Sequence, residues 1–301
     1  MRTGKMIWAL LVLLLLTPLW TSAEDTEPGD PTVTYLNLDG QRLNYSTVKD
    51  VLAGYPGLEK ADMYDIPLLR TQAEELEALY PGIEFGWTLK IGRDHEVRTD
   101  VTAFSTLHRS GSPTHTTREI AVLRYCKNLK ALDFGHNGVD DLSWLTDLPD
   151  LRVLIIAVNR VTDITPLASL TKLEYLELFN NQISDLTPLK GLTHLMDLNI
   201  SFNRITDLSP LYEMTWLRRL WLFNCSGDGT GIPAETIETL KKRLPNCQID
   251  YRSRPTLGGW RDHPHYQVIH EMFEKSEYIP FSDSFPEFMI PEEDDEEDED
   301  F

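Results

Sequence analysis

The residue types that could support catalysis or metal binding are present in this chain, but not at the spacing such chemistry needs. His263, His265, His270 and Glu271 lie close together in the sequence. A metal site on a helix would place ligands at i and i+4, and Pro264 interrupts the first pair. No G-x-S-x-G, H-E-x-x-H or phosphate-binding loop occurs in the sequence. We therefore predict no catalytic residues, no metal site and no cofactor.

The three cysteines are too few for a disulfide scaffold in a chain of 301 residues. Cys126 and Cys225 occupy repeat positions that other copies fill with Leu and Asn, so we expect both to be buried. The sequence does not decide whether Cys225 and Cys247 form a disulfide. Four aspartates recur every 22 residues and could bind Ca²⁺ or, as is more common, accept bonds from loop N–H groups: Asp141, Asp163, Asp185 and Asp207.

All these groups belong to, or flank, a 22-residue repeat. The pattern L-x-x-L-x-[apolar]-x-x-N occurs five times from Leu129 to about Asn224, with Cys225 in place of the last Asn. Self-similarity this strict predicts a leucine-rich repeat solenoid. The first leucines of the copies are Leu129, Leu151, Leu173, Leu195 and Leu217.

Each position of the repeat predicts a structural role. The L-x-L stretch is a short strand, and strands of successive copies stack into a parallel concave sheet. Ser/Thr-Pro predicts the cap and first position of a short 3₁₀ or helical turn on the convex side. The fold class is thus an α/β solenoid, with longer helices in irregular flanking repeats. The recurring Asn has a side-chain amide on a short stem, which can bond backbone groups where the chain leaves each strand. In a stack these residues form a ladder: Asn137, Asn159, Asn181 and Asn203.

The N-x-I-x-D-[LI]-[ST]-P-L core resembles the bacterial, internalin-type leucine-rich repeat. That resemblance implies a secreted or surface-displayed protein that recognises its partner through the concave face without catalysis. The segment Gly259 to Tyr266, G-W-R-x-H-P-x-Y in pattern, is similar to one that follows leucine-rich repeats in secreted Firmicutes proteins. That second resemblance implies no activity.

Strand residues that point away from the core line the concave face and are the candidate ligand-binding residues. Several are large and apolar, and such a patch usually marks a partner site. The alternative is that the C-terminal segment folds over Trp221 and Phe223. The candidates are Ile155, Tyr175, Glu177, Phe179, Asn199, Phe202, Arg219, Trp221 and Phe223.

The N-terminus has the pattern of a secretory signal peptide. Arg2 and Lys5 precede the apolar run 6–16, and small residues lead to a plausible cut after Ala23. We therefore expect a secreted or cell-surface protein whose mature chain does not insert into a membrane. The alternative is an uncleaved N-terminal anchor.

The remaining chain divides by composition and pattern. Residues 24–31 are a flexible lead-in, 32–128 irregular N-terminal repeats, 129–224 the regular repeats and 225–254 a C-terminal capping repeat. Residues 255–290 are an aromatic segment with a short helix near 266–273, and 291–301 an acidic, disordered tail. We expect one continuous solenoid over 32–254; a separate domain up to Gly92 is the alternative.

The net charge of the chain disfavours two classes of partner. With 48 acidic and 28 basic residues the net charge is −20, which disfavours nucleic acid and anionic membranes. We predict a secreted, non-enzymatic protein that binds a protein, peptide or glycan on its concave face. The alternative is a structural protein of the cell envelope that associates with itself or with wall polymer.

Overall fold

The computed structural model describes residues 29–93, 95–106, 114–229, 231–254 and 259–281. The expected signal peptide, most of the lead-in and the acidic tail lie outside these residues. Within the described ranges, none of the helices has the length and hydrophobicity that a membrane span requires.

The N-terminal part is a four-stranded sheet in which two helices connect the parallel strands. Three strands run parallel, and the fourth runs antiparallel to the third. The elements are β1 (Tyr35–Asn37), α1 (Tyr45–Ala53), β2 (Lys60–Leu68), α2 (Arg70–Leu79), β3 (Glu84–Ile91) and β4 (His95–Arg98).

The two helices begin differently. The side chain of Asn44 accepts bonds from the N–H groups of Ser46 and Thr47, which caps α1. In α2, the Gln72 side chain accepts a bond from the N–H of Leu69. The sequence pattern Thr71 to Glu74 predicts a capping box here; that prediction is wrong, because α2 already begins at Arg70.

A seven-stranded parallel sheet forms the rest of the solenoid, with its strands in chain order. The regular strands are three residues long, and their central leucines are register partners. Each leucine therefore packs on its counterpart in the next repeat. The strands are β5 (Ala103–Ser105), β6 (Ala131–Asp133), β7 (Val153–Ile155), β8 (Tyr175–Glu177), β9 (Asp197–Asn199), β10 (Arg219–Trp221) and β11 (Gln248–Asp250).

The strands of residues 32–254 thus divide between two sheets. The pattern of residues 97–107 predicts one strand, but β4 and β5 are separate and belong to different sheets. The division follows from direction, because β4 is antiparallel to β3 whereas β5 pairs in parallel with β6. One apolar core still runs through both parts, and Trp87 meets Tyr125 edge-to-face at 5.5 Å.

Short 3₁₀ turns follow the regular strands on the convex side. In each, the Asp two residues earlier accepts the N–H of the Ser or Thr that starts the turn, at 2.8 Å in all four. The Ser or Thr is therefore the first residue of the turn, not its cap as the sequence pattern indicates, and the Asp side chain accepts its N–H. These bonds account for the four aspartates. The turns are Ser143–Asp147, Thr165–Ser169, Thr187–Leu189 and Ser209–Leu211.

Three further helices complete the fold. The pattern of residues 118–125 predicts a helix, and this segment forms α3 (Thr117–Ile120) followed by a 3₁₀ turn (Ala121–Tyr125). Helix α4 (Ala234–Arg243) packs Ile237 and Leu240 into the core. The last helix is α5 (Pro264–Lys275), whose N-terminus is capped by His263.

The asparagine ladder connects neighbouring repeats through backbone bonds. Nδ2 of Asn181 donates to the carbonyls of Ile156 and Leu178, at 3.0 and 3.1 Å. Its Oδ1 accepts from the N–H of Val161 at 3.1 Å. The other three asparagines also bond the backbone of their own and of neighbouring loops: Asn137, Asn159 and Asn203.

Replacing Asn181 by Ala removes the four hydrogen bonds of its side chain and leaves buried backbone groups unsatisfied. We therefore expect a loss of about 2–4 kcal/mol in the free energy of unfolding. Urea denaturation measures it. Ser184→Ala, on the exposed loop of the same repeat, is the control and should change stability by less than about 0.5 kcal/mol. Equal stability of the two variants would refute the ladder's contribution.

Candidate functional site

The candidate residues lie side by side on the concave face of the seven-stranded sheet. Because side chains alternate along a strand, the first and third residues of each strand point away from the core. On β5 to β7 these positions are mostly small, as with Ala103, Ala131 and Val153. On β8 to β10 they are aromatic, charged or amide side chains: Tyr175, Glu177, Asp197, Asn199, Arg219 and Trp221.

Residues 259–281, here called the C-terminal cover, fold across this face. The apolar side chains of α5, including Ile269 and Met272, form one cluster with the small residues of β5 to β7. The chain then turns at Ser276, and the N–H of Ala103 donates to the carbonyl of Ser276 at 3.3 Å. The position of this helix in the chain, after the last repeat, predicts that its apolar face packs there. That prediction is wrong, because the small side chains at the other end of the sheet make room for the helix.

Trp260 is the main anchor of the C-terminal cover. Its ring is fully buried, with its centroid 5.3 Å from that of Tyr175 and 6.0 Å from that of Trp221. The guanidinium carbon of Arg219 lies 4.4 Å from the ring centroid. Indole Nε1–H donates to Oε2 of Glu177 at 3.1 Å, so the polar edge of the ring is also satisfied.

A buried ion pair lies beneath the C-terminal cover. Nε and Nη2 of Arg219 donate to Oδ1 and Oδ2 of Asp197, at 3.1 and 3.0 Å. Nδ1 of His265, from the first turn of α5, is 2.6 Å from Oδ2 of Asp197. Asp197 and Arg219 are only 1% and 2% exposed at their side chains. Their charges are therefore compensated by one another and by a residue of the cover.

The pKa values of the groups beneath the C-terminal cover are shifted by burial and by the charges of the ion pair. Burial raises the pKa of Asp197, but the bond to His265 and the charge of Arg219 outweigh it and hold the pKa below its usual range. Burial and the charge of Arg219 lower the pKa of His263 to about 4. Burial raises the pKa of Asp133, on β6 of the same face, to about 6. The covered face is thus a polar interior whose ionisation depends on the cover.

Most of the candidate ligand-binding residues are consequently closed to solvent. The expectation of an open concave face is wrong for Ile155, Tyr175, Glu177, Phe179, Asn199, Arg219 and Trp221, all of which are buried. The alternative, cover by the C-terminal segment, applies to Trp221. The physical reason is that the chain's own aromatic segment packs against the face that was expected to contact a partner.

One edge of the face stays partly open, where the strands end. Phe179, Phe202 and Phe223, here called the aromatic rim, touch in series with ring centroids 5.6 and 5.2 Å apart. Phe202 and Phe223 are half-buried. The backbone of Phe202 is left-handed, with φ of 54°, as it is at the equivalent position of the other regular repeats. That turn directs the ring back over the end of the sheet.

Two polar atoms lie beside the aromatic rim. Asn199 and Ser201 follow each other on one face of β9 and its extension, and both are fully buried. Nδ2 of Asn199 and Oγ of Ser201 have no hydrogen-bond partner among the described residues. Buried donors without partners are costly, so this edge has hydrogen-bonding capacity that the chain itself does not use.

Two histidines of the C-terminal cover lie close enough to Asp197 to be considered as metal ligands. Asp197, His263 and His265 each offer one ligand atom, and these atoms lie within 4.8 Å of one another. Arg219, however, donates to both oxygens of Asp197, so a cation there would stand beside a fixed guanidinium. Nδ1 of His263 accepts from the N–H of His265. We assign this cluster to holding the C-terminal cover in place.

The cysteines do not form a reactive site in the described chain. Cys126 and Cys225 are buried, Cys247 is half-buried, and all three are free thiols. Burial raises the pKa of Cys225 and Cys247 to about 12, and that of Cys126 further. Thiols of this kind are poor nucleophiles at neutral pH.

Three residues that hold the cover, Asp197, Trp260 and His265, were not among the candidate ligand-binding residues, whereas Glu177 and Arg219 were. Asp197 occupied an outward strand position, and Trp260 and His265 belonged to the aromatic C-terminal segment. Their contacts join residues 68 and 83 positions apart. The sequence signal for the cover was the chemical complementarity of two parts of the chain. An aromatic segment with histidines follows strands whose outward positions are rich in aromatic and charged residues.

Arg219→Met keeps much of the side-chain volume but leaves Asp197 buried without its guanidinium. We expect the free energy of unfolding to fall by about 3–5 kcal/mol. The control is Arg243→Met, which breaks the exposed ion pair with Glu213 and should cost less than about 1 kcal/mol. Chemical denaturation compares them, and similar costs for both would contradict the buried network.

Family comparisons agree with the repeat. A model described as "Leucine Rich repeats (2 copies)" matches residues 149–191, and one described as "Leucine Rich repeat" matches 125–142 and 191–208. No curated protein matches the chain.

Several solved structures are similar. Internalin C2 of Listeria monocytogenes is 26% identical, covering 55% of this chain and 71% of that one, with a TM-score of 0.38. The internalin InlF of the same organism is 22% identical, covering 69% and 67%, with a TM-score of 0.42. A leucine-rich repeat protein of Leptospira interrogans is 21% identical, covering 67% and 57%, with a TM-score of 0.40. These scores are below 0.5, so the assignment depends on the repeats themselves. The repeats that these models match and the stacked parallel strands show that this chain has a leucine-rich repeat solenoid fold.

Proposed function

We propose that the protein is a secreted, non-enzymatic recognition protein that binds a partner protein along the open edge of its concave sheet. Leucine-rich repeat proteins commonly bind proteins, which gives the class of activity. The observation that carries the choice of surface is the aromatic rim. Two of its three residues, Phe202 and Phe223, are the candidate residues that the C-terminal cover leaves half-exposed.

The chemistry of this edge suits a protein surface. Half-exposed aromatic rings are typical anchors of protein interfaces, because they bury a large area at little cost in conformational entropy. Arg254 lies 6.0 Å from the ring centroid of Phe223 and adds a charged group at the margin. Asn180 and Asn224 occupy, in the repeats on either side, the position that Phe202 occupies in its own repeat. The alternative to a partner protein is a smaller ligand, a peptide or a glycan, that contacts only the aromatic rim.

Secretion is part of the proposal and is tested separately. Expression in the native host should give a processed chain in the medium or on the cell surface, beginning at Glu24. N-terminal sequencing and intact mass measure the cut. A cellular chain that keeps residues 1–23 would contradict it and favour an N-terminal anchor.

The recognition surface is tested with the double variant Phe202→Asp/Phe223→Asp. Charges at these positions should prevent docking of an apolar partner surface, so we expect capture of the wild-type partner from the native environment to fall at least about tenfold. Affinity purification with quantitative mass spectrometry, using the mature full chain, measures this.

The chain offers a matched control. Leu69 and Leu79 are exposed leucines on the N-terminal part, so Leu69→Asp/Leu79→Asp makes the same chemical change away from the rim. The control should capture the same partner as wild type. Equal loss in both double variants, or in neither, would refute the rim as the site. Capture of the chain itself or of wall polymer would favour the envelope alternative.

A further inference from the structure

The edge of the sheet that carries the aromatic rim is also basic. Arg160 and Arg204 each lie two residues after the left-handed residue of their repeat, and Arg252 and Arg254 follow β11. These four residues are here called the basic margin. All four are exposed, and none forms an ion pair within the described part of the chain. In a chain whose net charge is −20, unpaired cations along one edge favour an acidic ligand.

The basic margin lies directly beside the aromatic rim. The guanidinium carbon of Arg254 is 6.0 Å from the ring centroid of Phe223. The stem of Arg204 runs beside the loop that follows Phe223, since a Cβ on Gly227 would lie 3.6 Å from its Cγ. The recurring aspartates of the same loops already accept bonds from their own turns. A ligand that approaches from the sheet therefore meets aromatic rings first and cations beyond them.

The end of the chain has a sequence that complements this order. The structure describes the chain as far as Phe281, and residues 282–301, here called the C-terminal tail, follow. The C-terminal tail is first apolar, with Phe285 and 288–290, and then carries nine consecutive acids at 292–300. Apolar side chains suit the aromatic rim, and carboxylates suit unpaired arginines.

The C-terminal tail also starts within reach of this edge. Phe281 is buried over the concave face, with its ring centroid 6.4 Å from that of Tyr175. Phe179 of the aromatic rim follows Tyr175 by four residues, which is about 13 Å at the rise of a strand. An extended chain spans at most about 3.6 Å per residue, so residues 285–290 can reach about 14–32 Å from Phe281. The acids that follow can then reach the basic margin.

We propose that the aromatic rim and the basic margin together bind the chain's own C-terminal tail, which thereby competes with the partner for this edge. The docking of the C-terminal tail does not depend on a partner, whereas its competitive role rests on the proposed function. Exposed ion pairs are individually weak and are screened by salt. The covalent attachment supplies the effective concentration that holds the tail in place, and a partner that buries more of the aromatic rim displaces it.

The first experiment changes the C-terminal tail and observes the sheet. In the full mature chain, the nine acids at 292–300 are replaced by Gln and Asn, and backbone amide shifts are compared with wild type by NMR. We expect differences outside the tail to be concentrated at residues 158–160, 202–204 and 223–227. Raising NaCl from about 50 to 500 mM should move the wild-type shifts toward those of the tail-neutral variant, because salt screens the same attraction.

The second experiment changes the basic margin and observes the C-terminal tail. Arg204→Gln/Arg254→Gln should move the amide shifts of residues 292–300 toward their high-salt values. The matched control is Lys241→Gln/Lys242→Gln, which removes the same charge from exposed side chains of α4 that form no ion pair within the described residues. This control should leave the tail shifts as they are in wild type.

The competitive role is measured with the partner capture described above. Removing the charges of the C-terminal tail frees the aromatic rim, so at low salt the tail-neutral variant should capture at least about threefold more partner than wild type. Equal capture by the two chains would overturn the competitive role.

Three NMR results would overturn docking of the C-terminal tail. These are shift differences confined to the tail itself, equal effects of the arginine and lysine pairs on the tail, and shifts that grow with protein concentration, which would assign the tail to a second copy. None of these measurements needs a partner. Failure of docking is therefore distinguishable from failure of the proposed function.

Discussion

The closed concave face depends most on the burial of the Asp197–Arg219 ion pair beneath the C-terminal cover. Two opposite charges on neighbouring strands of an open sheet would remain hydrated and contribute little. Here His265 binds the same carboxylate, and Trp260 stacks against the guanidinium. The pair then becomes expensive to break, since either charge alone would be buried without compensation. A solenoid face that could have stayed open is thereby closed by its own chain.

This closure changes where recognition can occur. In a repeat solenoid the concave sheet is the extended surface available for binding. In this chain its central residues pack against Trp260 and α5, and the partly exposed groups are moved to the ends of the strands. Phe202 is held there by the repeat itself, because it is the left-handed residue through which its repeat leaves the strand, and its ring contacts that of Phe223.

The repeated part of the fold was predictable because its signals are local and recur. Leucine spacing predicted the strands and their register, and the Asn position predicted the ladder that Asn181 illustrates. The C-terminal cover was less predictable, because Trp221 and Tyr175 are equally consistent with an external partner and with an internal one. Its contacts also join residues far apart in sequence. The division into two sheets depends on the direction of β4, which hydrophobic alternation does not reveal.

Oxidative footprinting of the native chain, read by mass spectrometry, tests the closed concave face most directly. The account predicts that Trp221 and Trp260 are strongly protected relative to the denatured chain, while Phe202 and Phe223 are modified. Half-buried Trp216, on the approach to β10, serves as the internal reference for a tryptophan outside the cover. Modification of Trp221 and Trp260 at the rate seen in the denatured chain would contradict the account, because the concave face would then be open.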